Sequence, residues 1–155
     1  MTRYHIAAFA VALGLGAGAA QAQQSDLERF EAAAEGMSEQ MFSLIAREQP
    51  AVGDALPQTD WGPAFREAGA CVLDRIREET SDANVDRMLG ELEMMAATEF
   101  DSLAEMRAAN DATGPGIPQE RMMQINEACG MEAAMRQRMT ESGFLEAMQQ
   151  AQQGG

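Results

Sequence analysis

Two cysteines, Cys71 and Cys129, are the only ones in this chain, so each is the other's sole intramolecular partner and the fold must be compatible with their meeting or parting. Whether they pair depends on compartment, and the first residues speak to that. Arg3 supplies positive charge, Ile6 to Ala20 form an apolar run rich in Ala and Gly, and Ala20-Gln21-Ala22 is a small-x-small cleavage site. That is the pattern of a signal peptide over residues 1–22, with the mature chain starting at Gln23 and forming one domain over residues 23–155. The apolar run is shorter than the roughly 20 residues a spanning helix needs, and no second run follows, so no stable membrane anchor is expected. Export to the periplasm, an oxidising compartment, makes a Cys71–Cys129 disulfide the expected state. A CxxC redox motif is absent.

Apolar periodicity sets the class. Leu27, Phe30, Ala34, Met37, Met41 and Leu44 step by three and four, which predicts a first helix over Asp26–Glu48, with Ser25 as its N-cap and Glu28 completing a capping box. Pro50, Gly53, Pro57 and Gly62 then punctuate residues 49–62, read as a long surface connection. A second helix, Pro63–Glu79, places Phe65, Ala68, Val72 and Ile76 on one face, with Gly69 leaving room for a close neighbour. A third, Asp82–Asn110, follows after so short an interval that it must turn back antiparallel.

A fourth helix opens at Pro118. Its first face is Met122, Ile125, Cys129 and Ala133, whereas Met131, Met135 and Met139 form a stripe rotated away from it; either the helix bends near Gly130 or it is covered on two sides. Ser142-Gly143 breaks the helix before a short last one containing Phe144, Leu145 and Met148, and residues 149–155 are expected to fray. The expected fold is all-α: a compact bundle of four main helices plus a short C-terminal helix, tied by one disulfide. If the second and fourth helices start level, Cys71 and Cys129 differ in height by only about 5 Å.

Missing residues narrow the chemistry. There is no lysine, and His5 and Tyr4, the only residues of their kinds, lie in the leader. Imidazole bases, Ser-His or Cys-His nucleophiles and Schiff-base lysines therefore lose their usual agents in the mature chain, and no enzyme activity, catalytic residue or cofactor is expected. Carboxylate pairs such as Glu78 with Glu79, or Glu91 with Glu93, do not share a helix face. Without Arg3, ten arginines face 25 acidic residues, a formal charge near −15 that repels nucleic acid and anionic lipid.

What remains points to binding. Trp61, the single tryptophan, sits in a connection and serves either as a partner contact or as a lid over one end of the bundle. Twelve methionines follow Met1, and flexible, polarisable thioethers make adaptable apolar surface. The expected function is non-enzymatic: a periplasmic protein- or peptide-binding module, chaperone-like, whose acidic bundle loosens in acid. The alternative is a soft-metal site in which Met131, Met135 and Met139, at i, i+4 and i+8, present thioethers to Cu(I).

Overall fold

In the computed structural model the described residues are 16–111 and 114–153. They form α1 (Gly16–Glu48), a 3-10 helix (Pro50–Ala55), α2 (Pro63–Glu79), α3 (Asp82–Ala97), α4 (Leu103–Asp111), α5 (Gln119–Ala128), α6 (Met131–Glu141) and α7 (Phe144–Gln153), with no strand among them. The class is all-α, tied by one disulfide. The expected signal peptide lies mostly outside the described residues.

The core is the meeting of α2, α3 and α5. Val72, Leu73 and Ile76 pack with Val85, Met88, Leu89 and Ile125. Each of these large aliphatic side chains, taken fully out of water, stabilises the fold by about 1.5–3 kcal/mol. From α1, Leu27 and Phe30 close this cluster on one side, and Ile117, Met122, Cys129 and Met131 close it on another. Charges fasten the same elements outside the core. Arg29 of α1 makes a bidentate pair with Glu93 of α3, at 2.7 and 3.1 Å, and reaches Asp86 at 2.7 Å. Arg77, near the end of α2, joins Asp26 of α1 and Asp82 of α3.

Several boundaries differ from the sequence reading. α1 is continuous through Ser25, which therefore sits inside a helix and caps nothing, because the alanines upstream of it propagate the helix in the full chain. The connection over residues 49–62 is not structureless: Pro50 opens a 3-10 helix whose Val52 is wholly buried and which packs against α1 and α7.

The third helix is not continuous either. Thr98 adopts an extended backbone and ends α3, and Ser102 starts α4 by accepting from the Glu105 amide. The Glu105 carboxylate accepts in turn from the Asp101 amide, close to a reciprocal capping box. Glu48 at the end of α1 accepts from the Leu103 amide, so this break is stitched to the first helix.

Gly130 takes a left-handed conformation, φ 78°, and separates α5 from α6, which decides between the two alternatives in favour of the bend. Its turn resets the helical phase, so Ala134 is buried and Ala133, expected on the buried face, is exposed. Gly143, also at φ 78°, makes the expected second break. α7 then runs to Gln153 instead of fraying from Gln149, because buried Phe144 anchors it and it packs on the 3-10 helix.

The candidate functional site: a methionine-lined groove

The left-handed joint at Gly130 has a consequence for the surface. Met122 and Asn126 are one turn apart on α5, Met131 and Met135 one turn apart on α6, and the joint brings both pairs onto a single cleft of about 450 Å³. Phe30, Ala34 and Ser38 of α1 and Met88 and Leu92 of α3 line the same cleft. A second depression of about 390 Å³ continues from it along α1 and α4, lined by Met37, Met41 and Met106. The two share Phe30, Ala34, Ser38, Leu92 and Asn110, so they form one groove along α1. Seven methionines line it.

Trp61 closes one end. Its backbone amide donates to Glu35 Oε1 at 2.6 Å, and its ring sits edge-to-face on Phe30, centroids 5.2 Å apart, and tilted against Phe65 at 5.9 Å. The ring lies so close to α2 that a Cβ on Gly69 would stand 2.4 Å from Trp61 Cζ3. This is the close approach that a glycine in mid-helix permits. Trp61 is half-buried, at once a packing residue and part of the cleft wall.

Arg138 of α6 fixes the connection that carries Trp61. Its guanidinium lies 3.8 Å from the Phe65 ring centroid and donates to the carbonyls of Thr59 and Asp60. Partial burial lowers its pKa from the usual arginine value, opposed by the nearby charges of Asp60 and Glu35. Across the cleft, Glu91 pairs with Arg87, which also donates to Asn84 Oδ1 and to the Gly114 carbonyl. Gly114, which also lines the cleft, is thereby held to α3.

The sequence-derived residues divide on this surface. Met131, Met135 and Trp61 line the cleft, and Met139, two turns along from Met131 on α6, does not. Cys71 and Cys129 are bonded, with Cα atoms 5.6 Å apart, and tie α2 to the joint between α5 and α6. From spacing alone, Met37 and Met41 belong to the apolar stripe of the first helix and Met122 to the buried face of the fourth, so the sequence does not mark them as groove residues. The i, i+4 spacing of Met37 with Met41 was the available signal, but a buried stripe has the same spacing.

No known protein family, curated protein or solved structure matches this chain.

Chemically, the groove offers apolar, deformable walls with a few hydrogen-bonding groups, among them Ser38 and Asn126. Among the described residues no three His, Cys, Asp or Glu side chains cluster to hold a metal.

Proposed function

We propose that this protein is a non-enzymatic, periplasmic binding module that takes apolar segments of partner proteins or peptides into the methionine-lined groove, in the manner of a chaperone. The observation that supports this reading is the groove's composition. Seven methionines in one groove form walls that re-pack around different apolar side chains at little cost in rotamer strain, the physical basis of broad specificity. A well-packed core would use branched aliphatics there instead. Excess negative charge keeps such a surface soluble and favours basic over acidic partners.

Trp61 gives the test an internal reporter, since it is the chain's one tryptophan and lines the cleft. Adding an apolar peptide to the oxidised protein should shift Trp61 emission to the blue, and the protein should suppress aggregation of an unfolded client. Ser38→Phe fills the point where the two depressions join, and costs only a hydroxyl bonded to the Ala34 carbonyl of its own helix. The variant should keep its fold and lose both effects. A Ser38→Phe protein that binds as well as the parent rejects the groove as the site.

A further inference from the structure

We propose that the cleft also holds one Cu(I) ion, with the thioethers of Met122, Met131 and Met135 as ligands and Met88 beneath them. The placement is structural. The sequence offers Met131, Met135 and Met139 as a stripe on one helix, but Met139 is absent from the cleft lining. Met122 from α5 and Met88 from α3 stand there instead. Met88 is 5% exposed, while Met122, Met131 and Met135 are half-buried, so three of the four side chains border space that a small ion reaches from solvent.

The donor chemistry selects the metal. Thioethers are soft, neutral ligands that favour Cu(I) over hard cations such as Mg²⁺ or Ca²⁺. Cys71 and Cys129 are consumed in the disulfide, and the only histidine is His5, so neither a thiolate nor an imidazole from the domain competes for the ion. Trp61 and Phe30 line the same cleft, and aromatic faces attract a cation. Arg138 lines it too, but its charge is engaged by the Phe65 ring and by two backbone carbonyls. Glu91 of α3 also lines the cleft, but it is paired with Arg87, so the general attraction for a cation comes from the chain's surplus of acidic residues.

One property separates this site from most copper sites. Imidazole and thiolate ligands must lose protons before they bind, so their affinity drops as the solution becomes more acidic. Thioethers carry no such proton, and Cu(I) affinity here is level from mildly acidic to mildly basic solution.

The test is an anaerobic competition between the oxidised protein and bicinchoninate for Cu(I), kept reduced with ascorbate, at about pH 6 and about pH 8. One Cu(I) per chain should transfer to the protein with equal affinity at both values, quenching Trp61 emission. Met→Leu conserves volume and removes the sulfur. The triple variant Met122→Leu, Met131→Leu, Met135→Leu should lose more than the roughly 10- to 100-fold in affinity that removing an outer-shell partner costs. A Met94→Leu, Met139→Leu control should bind as the parent does. If the triple variant melts early, the single Met131→Leu variant carries the comparison. No transfer from the competitor overturns the proposal, as does equal loss in the control or the uptake of several equivalent ions. The peptide-binding reading fails separately, because leucine at these positions leaves the groove apolar.

Discussion

Gly69→Ala tests how tightly Trp61 is held against α2. In an ordinary exposed helix the change gains about 1 kcal/mol, because alanine restricts the unfolded chain and glycine does not. Here the new Cβ would lie 2.4 Å from Trp61 Cζ3, 2.9 Å from Cη2 and 3.3 Å from Leu27 Cδ1. The leucine methyl yields by a few tenths of an ångström. The indole cannot bend, so the whole ring must withdraw by about 1 Å to regain ordinary contact. Withdrawal disturbs both of its aromatic pairs, with Phe30 and Phe65, each worth about 0.5–1.5 kcal/mol. Set against the helix gain, the net expectation is a loss of about 1–2 kcal/mol.

Urea unfolding followed by far-UV circular dichroism measures this, and Trp61 emission should move to the red in the folded variant. Two controls fix the cause. In a Trp61→Phe background the clashing ring edge is gone, so Gly69→Ala should become neutral or stabilising. Gly90→Ala in α3, whose Cβ would meet nothing within 4 Å, should gain about 1 kcal/mol in the parent. Equal destabilisation by Gly69→Ala in both backgrounds would falsify the account of Trp61 as the obstacle.

Two further outcomes follow from covalent and electrostatic ties. The Cys71–Cys129 bond closes a loop of sequence separation 58, and in the chain-entropy model its removal costs about 4 kcal/mol. A Cys71→Ser, Cys129→Ser double variant should lose about that much in urea unfolding, and a loss under about 1 kcal/mol would mean that α2 and α5 already stay together in the unfolded chain. Hydrogen bonds from Arg29 and Arg121 hold the carboxyls of Glu93 and Glu79 below the ordinary glutamate value. Their folded pKa values are thus the lower ones, so this stabilisation is complete above the unfolded value of about 4.3 and fades as pH falls through the folded ones. Acid titration should show stability level near neutrality and declining below about pH 4.5, with a shallower decline in Glu93→Gln, Glu79→Gln. An unchanged slope in that variant assigns acid loosening to other carboxylates.

Helix type and the buried face of α2 were legible in the residues because each depends on local spacing, and elimination named Cys129 as the only intramolecular partner open to Cys71. Phe65, Ala68, Val72 and Ile76 recur at helical intervals, and their burial needs only some partner, whichever it is. Gly130 and Gly143 announced their breaks because only glycine takes a left-handed turn cheaply. The break at Thr98–Ser102 was harder to read. The apolar period runs straight across it, and the competing signal, Ser102 with Glu105 three residues on, is the short capping pattern that also occurs inside helices. Ser25 with Glu28 shows that ambiguity, since there the same pattern lies within a continuous helix.

The groove belongs to tertiary structure alone. A methionine at i, i+4 spacing reads identically whether a neighbouring helix covers it or stops short. What decides between them is the angle at which α5 and α6 leave Gly130 and the disulfide that pins that joint to α2. Sequence period specifies which residues share a face of one helix. Only the packing of several helices determines which faces meet and which are left lining open space, because that depends on contacts between residues far apart in the chain.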